Sequence, residues 1–146
     1  MATKLHVTQS EMSRAYRSHK RFYKESEKAN PAMSRYLILC YAVECGLKQQ
    51  LMRERNLLDT EQLERSDLGL HHDLARYLKE IRLPAQATIP ALVLTDVKAK
   101  HSPPCRPNLQ VQSHQYHEAF RYSIELAAES HLIEQLERVL TALEAS

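Results

Sequence analysis

The fold is decided by residues 30–55, which read N-P-A-M-S-R-Y-L-I-L-C-Y-A-V-E-C-G-L-K-Q-Q-L-M-R-E-R. Wound as a helix, the part from Tyr36 to Met52 is apolar over most of its circumference, and its main polar interruption is the pair Glu44 and Lys48. A helix that is apolar nearly all round is usually buried. The sequence therefore predicts a central helix, surrounded by other helices. If that helix is buried, the ion pair is better suited to fixing geometry or holding a partner's polar group than to adding stability.

An amphipathic helix precedes this stretch. The segment Thr8-Gln9-Ser10-Glu11 fits a capping box and predicts a helix from about Thr8 to about Ala29. At 100° per residue, one side of this helix is mostly apolar and the other is basic. The apolar side holds Met12, Ala15, Tyr16, His19, Phe22, Tyr23 and Ser26. The opposite side, the basic stripe, holds Arg14, Arg17, Arg21, Lys24 and Lys28.

The basic stripe has two interpretations. Its cations have the chemistry to contact phosphates and to give a salt-dependent affinity for nucleic acid. Alternatively, the stripe is a solvated outer face, or a face docked on the acidic C-terminal part of a second subunit. A net charge of +2 is too small to indicate a nucleic-acid binder by itself.

Shorter elements follow the central helix. They are a helix over 60–65 capped by Asp59, a helix over 72–82, a helix over 90–100, an extended segment over 109–112 and a helix from about 128. The prolines between 101 and 108 predict an irregular loop. Residues 116–126 have two alternatives, a prefix of the last helix or an extended segment packed beneath it.

Composition limits the class of protein. A chain of 146 residues with 43% hydrophobic and 26% charged residues is expected to be a single globular domain, 1–146. The 3 cysteines are irregularly spaced, which suits a reducing cytoplasm better than a disulfide framework. No apolar run is long enough to span a membrane, and no signal-peptide pattern begins the chain. We expect a cytoplasmic protein with no membrane association.

No motif predicts a cofactor or metal. Glycine-rich phosphate loops, G-x-S-x-G and H-E-x-x-H are absent from the sequence. Zinc-ligand residue types do occur in the pattern H-x3-C-x8-H-x2-H, but this spacing fits no common zinc finger, and a polar loop is the favoured interpretation. The residues of that pattern are His101, Cys105, His114 and His117.

Two segments resemble the HEPN superfamily. Ala42-Val43-Glu44-Cys45-Gly46-Leu47-Lys48 resembles its E-(x)-x-LK helix, and Gly69-Leu70-His71-His72-Asp73-Leu74 resembles its G-H-D-L helix start. Arg121-Tyr122 resembles an RY found in some members, and the resemblance covers roughly residues 10–145. It implies an all-α, up-down bundle of about five helices that is often a homodimer. The family-motif pocket that it implies consists of Glu44, Lys48, His72, Asp73 and Arg121.

Many HEPN proteins are metal-independent ribonucleases with an R-x4–6-H motif near the penultimate helix. Here Arg14…His19 and Arg65…His71 have that spacing but lie outside the expected region. In the expected region, seven residues separate Arg106 from His114, and Pro107 intervenes. The required chemistry is an arginine that stabilises the phosphate and a histidine that moves a proton, both on one helix face.

The leading hypothesis is therefore a non-catalytic HEPN-like binding module. It would engage RNA, a nucleotide or a protein partner in a bacterial defence, toxin–antitoxin or mobile-element setting. The first alternative is a metal-independent endoribonuclease toxin that uses Arg106, His114 and Tyr116. The second alternative is a structural subunit that docks through apolar helices.

Overall fold

The structure is a computed structural model that describes residues 6–26, 32–65, 74–81, 95–96, 110–111, 113–122 and 129–145. Most of the described residues are helical, which confirms the predicted all-α helical bundle. The described helices are α1 (Gln9–Glu25), α2 (Ala32–Glu54), α3 (Thr60–Arg65), α4 (Leu74–Glu80), α5 (Tyr116–Arg121) and α6 (Glu129–Ala145). A 3-10 turn over Ser113–Gln115 leads into α5. Within these ranges, no helix has both the length and the apolar character needed to cross a membrane.

Helix α2 is the centre of the bundle, as predicted. It packs against α1, α4, α5 and α6, so neighbours cover it on several sides. Burial of an all-round apolar helix supplies the main favourable term for the fold. Its buried apolar residues are Leu39, Cys40, Ala42, Val43, Leu47, Leu51 and Met52.

Gly46 lies where side chains of α1 and α6 pack closely against α2. A Cβ atom at this position would lie 2.7 Å from Leu143 Cδ1 and 3.0 Å from two ring carbons of Tyr16. Carbon atoms in protein interiors pack at about 3.5–4.0 Å. The absence of a side chain therefore allows both neighbouring helices to sit against the backbone of α2.

Local capping signals set the start of α1. The Thr8 hydroxyl accepts a hydrogen bond from the Glu11 N–H at 3.2 Å, and the Glu11 carboxylate accepts one from the Thr8 N–H at 3.1 Å. This is the predicted capping box. The helix ends at Glu25 rather than near Ala29. Ser26 is its C-cap, and the Ser26 N–H still donates the last helical hydrogen bond, to the carbonyl of Phe22.

The start of α3 is fixed in the same way and is tied to the start of α1. Asp59 accepts a hydrogen bond from the Gln62 N–H at 3.1 Å, which confirms the predicted cap. The Thr60 N–H donates to the Val7 carbonyl at 2.9 Å, and the Val7 N–H donates to the Thr60 hydroxyl at 2.8 Å. The predicted third and fourth helices are confirmed as α3 and α4.

The predicted helix over 90–100 is wrong at Thr95–Asp96. These two residues form strand β1, which pairs antiparallel with strand β2, Gln110–Val111. The pairing confirms, at Gln110–Val111, the extended segment predicted over 109–112. β-Branched residues at alternate positions of the sequence, Val93, Thr95 and Val97, favour extended backbone once a second strand supplies hydrogen bonds.

The described part of the segment 116–126, residues 116–122, follows neither of the two predicted alternatives. Tyr116–Arg121 forms a separate short helix, α5, which ends where the Tyr122 N–H donates to the Glu118 carbonyl. Phe120 is buried and its ring centroid lies 5.5 Å from that of Tyr36. Helix α6 has the predicted apolar face, and all six of its predicted residues are buried. They are Leu132, Ile133, Leu136, Val139, Leu140 and Leu143.

Candidate nucleic-acid interface

The structure divides the basic stripe of α1 into two parts. Lys24 Nζ makes an ion pair with Glu144 on α6, so this cation belongs to the contact between the two helices. Arg14, Arg17 and Arg21 are exposed, and no carboxylate among the described residues makes an ion pair with them. Lys28 lies outside the described residues.

The acidic residues of α6 are largely engaged within the chain. Glu144 lies 3.8 Å from Lys20 Nζ in addition to its pair with Lys24. Glu137 accepts a hydrogen bond from the Tyr23 hydroxyl at 2.8 Å. Part of the acidic surface that a second subunit was expected to offer thus contacts α1 of the same chain.

The prediction that Phe22 lies on the apolar side of α1 is wrong. Its side chain is not packed in the core, since 58% of the residue is exposed. In a helix, residues three apart are neighbours on the surface, so Phe22 lies beside His19. It also follows Arg21 directly in the chain. The aromatic ring therefore stands between the exposed arginines and His19.

His19 begins a set of contacts that crosses three helices. Its ring centroid lies 5.9 Å from that of Tyr41 on α2, and the two rings are tilted by 46°. The Tyr41 hydroxyl accepts a hydrogen bond from Arg121 Nη2 at 3.2 Å. Tyr122, next in the chain, is 67% exposed.

The electrostatics of this set follow from its contacts. Burial lowers the pKa of His19, which favours the neutral imidazole. The hydrogen bond to Tyr41 raises the pKa of Arg121, so its guanidinium stays charged. We call the combined region the α1–α5 surface. Its members are Arg14, Arg17, His19, Arg21, Phe22, Tyr41, Arg121 and Tyr122.

The α1–α5 surface combines two kinds of contact that nucleic acids use. Arginine guanidinium groups bind phosphate oxygens, with two donors in a planar fork. Exposed aromatic rings offer a π-face to nucleobases. This arrangement requires no metal, and within the described residues no group of three or more His, Cys, Asp or Glu is placed to hold one.

Three of the residues predicted for the family-motif pocket are described by the structure, namely Glu44, Lys48 and Arg121. Glu44 and Lys48 lie 3.8 Å apart with their side chains 12% and 10% exposed. Lys48 Nζ also stands 5.8 Å from the ring centroid of Tyr77 on α4. Tyr41 precedes Glu44 by three residues and therefore shares its side of α2. Through Tyr41, Arg121 reaches the same side of the helix.

His72 and Asp73 of the family-motif pocket lie outside the described residues. The thiol of Cys45, next to Glu44, is not activated as a nucleophile. Burial, with a further contribution from Glu44, raises the pKa of Cys45 to about 11. Because the thiolate is the reactive form, this cysteine is protonated and inert at neutral pH.

The residues of the endoribonuclease alternative differ in accessibility. His114 is exposed on the 3-10 turn. Tyr116 has no exposed surface and is part of the core cluster. His117 is also buried. Arg106, together with His101 and Cys105 of the zinc-type pattern, lies outside the described residues.

No protein-family model matches the chain, and neither a curated protein nor a solved structure matches it. Membership of the HEPN superfamily therefore stays a prediction.

Sequence reasoning did not identify three members of the α1–α5 surface. Phe22 lies at the edge of the apolar side of α1. That edge position is the one feature of the sequence from which its exposure could have been predicted. Tyr41 was counted as part of the apolar helix, although its hydroxyl requires a polar partner when it is partly buried. The sequence indicates Tyr122 only as part of the RY pair. Its place on this surface depends on the contact between Arg121 and Tyr41, which no local pattern predicts.

Proposed function

We propose that this chain is an HEPN-like RNA-binding module that holds phosphates with Arg14, Arg17 and Arg21. One observation carries the proposal. These three arginines are exposed and have no ion-pair partner among the described residues, whereas the neighbouring Lys24 is paired with Glu144. The homodimer, the cytoplasmic location and the bacterial defence, toxin–antitoxin or mobile-element setting are further parts of the proposal and rest on the family resemblance.

The choice of arginine supports a phosphate ligand. A guanidinium presents several N–H donors in a fixed plane and is more weakly hydrated than an ammonium group. Contacts of this kind release counterions from the nucleic acid, so the affinity falls as the salt concentration rises. The small net charge of +2 means that attraction comes from this local cluster rather than from the whole molecule.

The test is a salt series of fluorescence anisotropy titrations with a labelled RNA. In the double variant Arg17→Glu/Arg21→Glu we expect about tenfold weaker binding and a salt slope that is shallower by about 1 to 2. The matched control is Lys79→Glu/Arg138→Glu, which reverses two exposed cations on α4 and α6 and changes the net charge by the same amount. Equal losses in both variants, or binding that does not respond to salt, would contradict the proposal.

The exposure of His114 is the observation that favours the endoribonuclease alternative. Cleavage of RNA in EDTA by the wild type, lost in His114→Ala, would establish that activity and replace the binding module as the leading function. Under our proposal the wild type binds RNA without cleaving it. Size-exclusion chromatography of the wild type in the same buffer reports the homodimer.

The structural-subunit alternative differs in its response to salt. Docking through apolar helices depends on buried apolar area and strengthens or stays constant as salt rises. A protein partner retained at high salt, together with absent RNA binding, would favour that alternative.

A further inference from the structure

Two exposed aromatic side chains belong to the α1–α5 surface. Phe22 is 58% and Tyr122 is 67% exposed, and the other large exposed apolar residue of the described chain, Leu58, lies in the connection between α2 and α3. Folding normally removes large apolar rings from water. Their exposure beside a cationic cluster indicates a ligand that supplies flat apolar surfaces together with negative charge.

Helical neighbours and side-chain contacts connect the two rings. Phe22 neighbours His19 on the surface of α1, and the His19 ring lies against that of Tyr41. Tyr41 in turn binds Arg121 Nη2 at 3.2 Å. Arg121 is adjacent to Tyr122 in the chain and shares a side-chain hydrogen bond with it. One exposed cation thus stands between two exposed rings, and the arginines of α1 continue beyond the first ring.

We propose that Phe22 and Tyr122 stack on unpaired bases, so that the ligand of the α1–α5 surface is single-stranded nucleic acid rather than a duplex. This inference rests on the proposed RNA-binding function. Every nucleobase has a π-face that an aromatic ring can cover, and such stacking tolerates any sequence. In a duplex the bases already stack on each other, and their faces are not available to side chains. Arg121 binds a phosphate between the two stacked bases.

Charge argues against a second copy of the chain as the occupant. Such a partner would need acidic groups opposite Arg14, Arg17 and Arg21. On α6, Glu134, Glu137 and Glu144 are already bound by Arg138, Tyr23 and the two lysines of α1, respectively. Stacked bases joined by phosphates match both the rings and the arginines.

The experiment compares two labelled probes of the same length, a single-stranded oligo(U) of about 12 nucleotides, within the usual range of ~4–16 nucleotides, and an RNA duplex. We expect the single strand to bind at least about tenfold more tightly than the duplex. Phe22→Ala/Tyr122→Ala should weaken single-strand binding by about tenfold per ring and leave duplex binding unchanged. The matched control is Leu58→Ala, which removes an equally exposed apolar side chain elsewhere and should change neither affinity.

Two further variants separate the possible causes of a loss. Phe22→Leu/Tyr122→Leu keeps apolar area without a π-face, so retention of full affinity in this variant would contradict stacking. A shift of Phe22→Ala/Tyr122→Ala from dimer to monomer on size-exclusion chromatography would instead assign the rings to a protein interface and overturn the inference. Unchanged melting temperatures of both variants confirm that the comparison is made on folded protein.

The outcomes also separate this inference from the proposed function. Equal, salt-dependent binding of single strand and duplex, unaffected by Phe22→Ala/Tyr122→Ala but weakened by Arg17→Glu/Arg21→Glu, would overturn stacking and leave RNA binding intact. Absence of salt-dependent binding to either probe would overturn both. Selective loss of single-strand affinity on removal of the rings would support both.

Discussion

The two sides of α1 use the same residue types for different purposes. On the inner side, which faces α6, Lys20 and Lys24 pair with Glu144, and Tyr23 donates a hydrogen bond to Glu137. On the outer side, Arg14, Arg17 and Arg21 point to solvent without an ion pair among the described residues, and Phe22 stands exposed beside them. Helical spacing places Lys24 in the same basic stripe as the three arginines, and Lys20 lies at the edge of that stripe. Contact with α6 determines the role of each cation. The lysines that meet Glu144 stabilise the fold, and the arginines that do not meet α6 remain available to a ligand.

The largest effect is expected from a substitution that separates α1 and α6 from α2, since both sides of α1 depend on this packing. In Gly46→Val, new methyl groups would collide with Tyr16 and Leu143, which lie within 3.0 Å of the added Cβ position. Overpacking of this kind costs about 1–3 kcal/mol. Urea unfolding should show this loss, whereas Ser34→Val at an exposed position of the same helix should change stability by less than about 0.5 kcal/mol. Equal stability of the two variants would contradict the close approach at Gly46.

The same substitution at two tyrosines of α1 should have opposite signs. The Tyr23 hydroxyl donates to Glu137 at 2.8 Å, so Tyr23→Phe should destabilise the fold by about 1–1.5 kcal/mol. The Tyr16 hydroxyl is buried with no hydrogen-bond partner among the described residues, and burial raises the pKa of Tyr16 to about 12. Tyr16→Phe removes an unsatisfied polar group and should be neutral or stabilising by up to about 1 kcal/mol.

Thermal or urea unfolding of the two tyrosine variants measures the difference. Tyr122→Phe on the exposed side is the control and should change stability by less than about 0.5 kcal/mol. A loss in Tyr16→Phe as large as that in Tyr23→Phe would show that the Tyr16 hydroxyl has a partner in solution.

Acid should weaken the fold at His19, at the edge between the two sides. Burial lowers the pKa of His19 in the folded chain below its ordinary value of 6.5, so the unfolded chain binds the proton more readily. Stability is therefore lost as the pH falls through about 6.5. The groups facing this ring are Tyr41 and, beyond it, the cationic Arg121. In His19→Gln, the decrease in stability between pH 7.5 and 5.5 should be smaller than in the wild type, and an identical decrease would contradict the prediction.

The smallest effect is expected at the ion pair itself. Lys24 and Glu144 are partly exposed, with side chains 55% and 32% accessible, and such pairs contribute only about 0.2–1 kcal/mol. Lys24→Met should destabilise the chain by this amount at low salt and by less at high salt, since ions screen exposed charges. A loss that does not depend on salt would mean that the lysine acts through packing of its alkyl stem.

Local signals in the sequence predicted much of the fold. In each of two helix caps, Thr8 with Glu11 and Asp59 with the backbone of Gln62, the two partners lie three residues apart. A short segment of sequence therefore contains everything needed to predict the cap. Helix α6 was predicted from its apolar spacing. The prediction of a helix over 90–100 failed because the partner of Thr95–Asp96 lies at Gln110–Val111, more than ten residues further along the chain.

The candidate site was predicted less completely, for the same physical reason. The arginines of α1 follow from their spacing, but their separation from Lys24 depends on Glu144, which is 120 residues away in the chain. The link from Tyr41 to Arg121 spans 80 residues, and no local pattern indicates it. Local patterns identified the arginines of the surface, whereas contacts between distant elements decided which cations pair within the fold and which aromatic side chains join the surface.

The most direct test of the account reverses charge on each side of α1 and measures both binding and stability. Arg17→Glu/Arg21→Glu changes the outer side, and Lys20→Glu/Lys24→Glu changes the inner side by the same amount of charge. We predict that the outer variant loses about tenfold or more in RNA affinity and keeps its melting temperature. The inner variant should lose melting temperature, because it places like charges beside Glu144, and should keep most of its affinity. Equal losses of affinity in the two variants, or a stable inner variant that no longer binds RNA, would contradict the assignment of the outer arginines to the ligand.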